Sequence, residues 1–268
     1  MPAGPAPTAA FFDLDKTIIA RSSTLAFSKP FQAGGLISRR AVLRSAYAQF
    51  VYLVGGADHD QMEKMRQFLS AMTAGWDVAT VREIVSDTLH NIVDPLVYDE
   101  AVTLIDEHKR AGREVVIVST SGSEVVEPIG AMLGADRVVA TRLVEAEGRY
   151  TGEIAYYAYG EEKANAVRAL AEERGYDLSA SYAYSDSITD VPMLEAVGHP
   201  SAVNPDRELR RVAVANDWPV LVFDEPVALR ARLRLPPPGP TITALALGGA
   251  LTLGGVAWSQ VRRRRRTA

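Results

Sequence analysis

The chain has 268 residues, 47% of them hydrophobic, with a formal net charge of −4 and no cysteine. That length allows one large domain or one domain with a sizeable insertion. Disulfides, thiolate catalysis and Cys-based zinc sites are excluded, and none of the four histidines (His59, His90, His108, His199) has a paired metal-ligand spacing. Five of the 29 basic residues form the run Arg262–Arg266, so the body of the chain is acidic, which argues against nucleic-acid binding.

Residues 1–8 read as a Pro/Ala-rich lead-in without the pattern of a secretory signal, which points to a cytoplasmic body. Ala9–Phe12 reads as a short buried strand with Asp13 and Asp15 at its C-terminal end. From Ser22 to about Asp94 no strand-like run occurs. Apolar residues at three- and four-residue spacing predict helices over 36–54, 58–72 and 77–92, a helical insertion after the first strand. Strand and helix then alternate. A helix near 96–111 ends at Gly112, and Val115–Val118 is a continuous apolar strand. A helix over 123–133 and a short strand Arg137–Ala140 precede a β-hairpin, 142–145 with 149–153. Helices over 161–174, 190–197 and 206–214 alternate with strands 181–184, 201–203 and 220–223. Repeated β-α units imply an α/β fold with a mostly parallel sheet and helices on both faces.

Residues 226–240 read as a stiff Pro-rich linker, 241–259 as a hydrophobic helix and 260–268 as a basic tail. Helical residues 241–258 would measure about 27 Å, near the lower limit for spanning a bilayer. Ala246, Ala250 and Gly254 form a small-residue stripe suited to homo-oligomer contacts, and the arginines suit anionic lipid. This tail predicts membrane lipid contact through 241–266 at the cytoplasmic face of the cell membrane, with a soluble cytoplasmic protein as the alternative.

Four polar groups fall at strand ends or helix starts where the elements themselves do not need them: Asp13-x-Asp15-x-Thr17, Ser119 with Thr120 beyond it, Lys163, and Asp186 with Asp190. In a parallel sheet all four meet at one C-terminal edge, where α/β proteins bind ligands. Each residue alone has an ordinary role: helix cap, turn or solvated surface. Together they have a definite chemistry. A carboxylate can attack phosphorus and a second can move the proton. Mg²⁺ and a lysine can offset phosphoryl charge, and a hydroxyl with helix-start N–H groups can hold the phosphoryl oxygens.

These motifs resemble those of the haloacid dehalogenase (HAD) superfamily, subfamily IB, over about residues 9–225. Phe11-Phe12-Asp13-Leu14-Asp15-Lys16-Thr17 resembles the first motif, Val115–Ser119 the second, Lys163 the third, and Tyr184–Leu194 the fourth, followed by Val203-Asn204-Pro205-Asp206. The resemblance implies a Rossmann-like core over 9–20 and 95–225 with a helical cap over 21–94. It implies Mg²⁺-dependent phosphomonoester hydrolysis through an aspartyl-phosphate. Asp13 would be the nucleophile and a metal ligand. Asp15 would be the general acid/base, with its backbone carbonyl a second ligand, and Asp186 a third. Ser119 and Lys163 would hold the phosphoryl group, with Thr17, Thr120, Asp190 and Asn204 in support. Two positions depart from the pattern. Ser185 stands where Gly is usual. Ser22 stands where phosphoserine phosphatases carry a cap glutamate, which argues against phosphoserine itself as the substrate.

Overall fold

The computed structural model describes residues 6–37, 59–224 and 226. The helix expected over 36–54 and everything expected over 226–268, including the hydrophobic helix, fall almost wholly outside these residues. Among the described residues no helix is long and apolar enough to cross a membrane.

Seven strands form one sheet in the order β4-β3-β2-β1-β5-β6-β7. They are β1 (Ala9–Phe12), β2 (Glu114–Gly122), β3 (Arg137–Ala146), β4 (Arg149–Tyr156), β5 (Tyr182–Ser185), β6 (His199–Val203) and β7 (Val220–Leu221). All neighbours pair in parallel except β3 and β4, which are antiparallel. β1 is central because every side chain in it is buried: Ala10 and Phe12 point into one apolar layer, Ala9 and Phe11 into the other. β2 repeats this, with Val115 and Ile117 on one side and Val116 and Val118 on the other. Continuous apolar runs are what a parallel sheet covered on both faces requires.

Between β1 and β2 the described chain is helical: α1 (Ser23–Ala26), α2 (Ser28–Ala33), α3 (His59–Thr73), α4 (Val78–Val93) and α5 (Asp99–Arg110). Asp77 caps α4 by accepting from the Thr80 N–H at 2.8 Å, and Val78, Val81, Val85, Leu89 and Val93 are buried along one side of the helix. They join the same apolar cluster as α5 and α6 (Ser123–Leu133). On the other face lie α7 (Glu161–Arg174), α8 (Val191–Glu195) and α9 (Arg207–Ala215). The chain adds β2, β3 and β4 on one side of β1, then returns to add β5, β6 and β7 on the other. The C-terminal end of β1 is therefore a topological switch point, where ligands bind in open α/β sheets.

Three local differences from the sequence reading have physical causes. The strand expected at 137–140 and the first hairpin arm are one strand, β3, whose first half pairs with β2 and second half with β4. The helix expected from 96 starts at Asp99, because the chain just before it runs beside the end of the first motif: Ala20 N–H donates to Leu96 O at 2.7 Å and Tyr98 N–H to Ile18 O at 3.0 Å. The hairpin grips the insertion. Gly75 N–H donates to Tyr150 O at 2.7 Å, Tyr150 N–H to Trp76 O at 3.0 Å and Val78 N–H to Gly148 O at 3.0 Å. A side chain at Gly152 (φ +90°) would come within 3.0 Å of the Ser70 carbonyl oxygen, so only glycine lets β4 lie this close to α3.

His108 on α5 is 3% exposed. Its Nε2 lies 2.8 Å from the Tyr184 hydroxyl and the Phe12 ring packs edge-on against it. Burial, with Arg113 adding to it, pulls its pKa down from 6.5 to about 4. The unfolded chain therefore binds this proton at higher pH than the folded one. The contribution is fully present above about 6.5 and is lost as the pH falls toward about 4. We expect His108→Gln, which can still hydrogen-bond Tyr184, to unfold with less acid sensitivity than wild type. Urea titrations between these pH values should show the gap between the two proteins shifting by about 2 kcal/mol.

Candidate active site

The first motif leaves β1 through a tight turn. Asp13 N–H donates to Tyr184 O at 2.9 Å, extending the pairing with β5 by one residue. Leu14 O accepts from Ile18 N–H at 2.9 Å and Ile19 N–H at 3.1 Å, and Lys16 takes a positive φ of 64°. Residues 13 and 15 thus sit on a loop whose shape is fixed by its own backbone. Thr17 is fully buried within it.

Lys163 lies in the first turn of α7, after Gly160, whose φ of +56° turns the chain into the helix. Its side chain is 2% exposed. Its Nζ donates to Asp13 Oδ1 at 2.7 Å and to Asp190 Oδ2 at 2.8 Å. Asp190 Oδ2 also accepts from Ser185 Oγ at 2.6 Å. The unusual Ser185 of the fourth motif thus has a job, fixing the carboxylate that fixes the lysine. Burial alone would pull the Lys163 ammonium down, but Asp13 and Asp190 outweigh it and the pKa is raised. The Asp13 carboxyl moves up as well, to about 7, because burial and the charges of Asp190 and Asp15 outweigh Lys163. Asp186 is raised for the same reasons, burial first and then the charge of Asp13. Both shifts have burial as their first cause, and the neighbouring buried carboxylates add to it.

The other acid is held differently. Asp15 Oδ1 accepts from the Ser23 N–H at 2.7 Å, and Oδ2 accepts from Ser23 Oγ at 3.2 Å and Ser121 Oγ at 3.0 Å. Ser119, 1% exposed, accepts from the Ser121 N–H at 3.2 Å. Asp186 has Lys16 Nζ at 3.8 Å, and its backbone oxygen accepts from the Asp206 N–H at 2.8 Å. Asp206 in turn accepts from Ile188 N–H at 2.8 Å and caps α9 through Leu209 N–H at 2.8 Å.

Asp13, Asp15, Ser119, Lys163, Asp186 and Asp190 thus meet at the C-terminal ends of β1, β2 and β5. Two supporting residues lie elsewhere. Thr120 turns away and donates to Ala158 O at 2.8 Å, tying β2 to the chain that leads into α7. Asn204 exchanges hydrogen bonds with the Phe223 backbone, N–H to Oδ1 at 3.0 Å and Nδ2 to O at 2.8 Å, and so fastens the segment after β7. Sequence reasoning missed Ser23, Ser121, Ser185 and Asp206 as parts of the site. The run Ser119-Thr120-Ser121 offered a signal, since three hydroxyls at a strand end exceed what one helix cap uses.

Among the described residues no three His, Asp or Glu side chains form a metal cluster. The donors on hand are the Asp13 and Asp186 carboxylates with the Asp15 backbone carbonyl. This hard-oxygen set suits Mg²⁺, which binds through one or two carboxylates and keeps several waters. The fit is also electrostatic: a divalent cation held by these groups would offset the negative charge that, after burial, raises both carboxyls.

A family model for haloacid dehalogenase-like hydrolases matches residues 10–195. The inhibition of morphological differentiation protein of Streptomyces azureus is 63% identical over 265 residues, covering 97% of this chain and 96% of that protein. A probable phosphatase of Mycobacterium tuberculosis is 60% identical over 266 residues, covering 98% and 93%. A protein of unknown function from Bordetella pertussis Tohama I has a crystal structure that superposes with a TM-score of 0.71 at 28% identity, covering 81% of this chain and 98% of that one. The matched family model and the probable phosphatase among these relatives show that the chain belongs to the haloacid dehalogenase-like hydrolases and is a phosphatase of that family.

Proposed function

We propose that the protein is a Mg²⁺-dependent phosphomonoesterase that works through an aspartyl-phosphate on Asp13, with a small soluble phosphomonoester as substrate. The observation that carries this reading is the Lys163 contact to Asp13 Oδ1 at 2.7 Å. It leaves the other carboxylate oxygen of Asp13 for attack and sets a positive charge beside the phosphoryl group. Asp13, Asp186 and the Asp15 carbonyl would hold Mg²⁺, which would supply charge neutralisation for the phosphoryl oxygens.

The chain's own residues do the rest. Asp13 attacks phosphorus as Asp15 gives a proton to the leaving oxygen. Asp15 then takes a proton from the water that releases phosphate. Ser119 and Lys163 hold the phosphoryl oxygens, and Asp190 with Ser185 orients Lys163. The helices of residues 21–94 act as the cap that covers the site and reads the substrate, excluding water during transfer. Ser22, at the start of α1, supplies a hydroxyl where an amino-group ligand would be acidic, which supports a substrate other than phosphoserine.

The tail carries a second reading on sequence alone. Residues 241–258 hold no charge and five arginines follow, a pattern suited to contact with an anionic membrane surface at the cytoplasmic face.

Two outcomes test these readings. Asp13→Asn should lower Mg²⁺-dependent release of phosphate from a generic phosphomonoester by at least about 10³-fold while the circular dichroism spectrum is unchanged. Activity near the wild-type level in that variant contradicts the mechanism. For the tail, full-length protein should sediment with phosphatidylserine vesicles and lose this in high salt or on deletion of residues 240–268. Equal sedimentation with and without those residues removes the membrane reading.

A further inference from the structure

The Asp15 carboxylate is enclosed more completely than a proton donor on a loop needs to be. Both oxygens are occupied by three donors from two distant segments: the Ser23 N–H at 2.7 Å, Ser23 Oγ at 3.2 Å and Ser121 Oγ at 3.0 Å. The two hydroxyls also lie 2.8 Å from each other, which closes a small ring of polar contacts. Ser23 is fully buried and Ser121 is 9% exposed, while Asp15 itself is partly exposed, so the donors hold the carboxylate from the inner side of the loop. The two serines come from different parts of the fold. Ser23 is the first residue of α1, where the insertion leaves the core. Ser121 is on β2, and its N–H donates to the Oγ of Ser119 at 3.2 Å.

We propose that Ser23 and Ser121 are positioning residues for Asp15, so that the aim of the proton donor depends on the base of the insertion meeting the end of β2. The inference rests on the phosphomonoesterase reading above. In the first transfer an Asp13 oxygen forms a bond to phosphorus. The bond from phosphorus to the leaving oxygen breaks with its electron pair going to that oxygen, which takes the proton of Asp15. Asp15 is left as a carboxylate, the form that three hydrogen-bond donors stabilise. The Ser23 N–H fixes Oδ1. The two hydroxyls can rotate, so Oδ2 can trade one of them for the leaving oxygen while the other keeps the group in place. Without these contacts the carboxyl samples other rotamers, and a misplacement of about 1 Å costs on the order of 10²-fold in rate.

A positioning role predicts a dependence on the leaving group that loss of packing does not. Phosphate esters with acidic leaving alcohols depart without a proton, whereas alkyl esters need one. The test measures kcat/KM, which reports the first transfer, over aryl and alkyl phosphates from 4-nitrophenyl to ethyl. The proteins compared are wild type, Ser121→Ala, Ser23→Ala and Ser121→Thr. We expect the loss in Ser121→Ala and Ser23→Ala to grow with the basicity of the leaving alcohol, about tenfold or more larger for ethyl than for 4-nitrophenyl phosphate. Ser121→Thr, which keeps the hydroxyl, should restore the wild-type slope. Equal losses across the series, or no loss for the alkyl ester, overturn the proposal. If Ser23→Ala lowers the Tm enough to obscure its kinetics, the Ser121 pair decides alone. Asp13→Asn in the same series separates the two readings. Retained turnover there removes the mechanism itself, whereas an inactive Asp13→Asn with a flat Ser121→Ala series removes only the positioning role.

Discussion

One ammonium among three buried aspartates is the constraint on which the rest of this structure depends. Lys163 reaches Asp13 and Asp190 at 2.7 and 2.8 Å from a fully covered position. Removing the lysine would leave two buried carboxylates without their counter-charge, a change that costs about 3–5 kcal/mol in comparable buried pairs. Keeping it leaves negative charge in excess, since Asp186 is buried beside the same cluster. The arrangement is stable only if the acids share protons or a cation joins them. The same imbalance that makes the site demanding to fold gives it the charge on which the proposed Mg²⁺ and phosphoryl roles rest.

The sheet order exists to bring those residues together. Asp13, Lys163 and Asp186 are separated by more than a hundred residues in two cases, yet β1, β2 and β5 end at one edge and α7 begins there. Alternating apolar side chains seal both faces of β1 and β2, so the loops at their ends leave a rigid base. The insertion is not hung loosely on this base. Residues 18–20 run beside 96–98, the hairpin tip pairs with 75–78, and α4 is part of the main apolar core. α1 meets the core as well, through Ser23, whose N–H and hydroxyl bond the Asp15 carboxylate.

Much of this was legible in the sequence because it is local. Val115–Val118 reads as a doubly covered strand, and the carboxylate pair at a strand end reads as a site only together with the polar residues at the other strand ends. Asp13, Ser119, Lys163, Asp186 and Asp190 follow from strand ends and helix starts, which short patterns reveal. The serines at 23, 121 and 185 were not legible as partners. Ser23 and Ser121 are 98 residues apart, and only the folded chain sets their hydroxyls 2.8 Å from each other. The bonds of Asn204 to the Phe223 backbone were not legible either, because they join it to a segment 19 residues on. The helix start at Asp99 and the fused strand β3 were set by pairing with distant chain, which local periodicity cannot report.

The most direct measurement of the central claim is to quench the enzyme in acid during turnover of a ³²P-labelled phosphomonoester and map the label. An account in which Lys163 steadies Asp13 for attack predicts a hydroxylamine-sensitive acyl phosphate on the peptide containing Asp13. It also predicts that Asp13→Asn carries no label. Label on another residue, or steady turnover with no labelled protein in a quench fast enough to catch the first cycle, would contradict it.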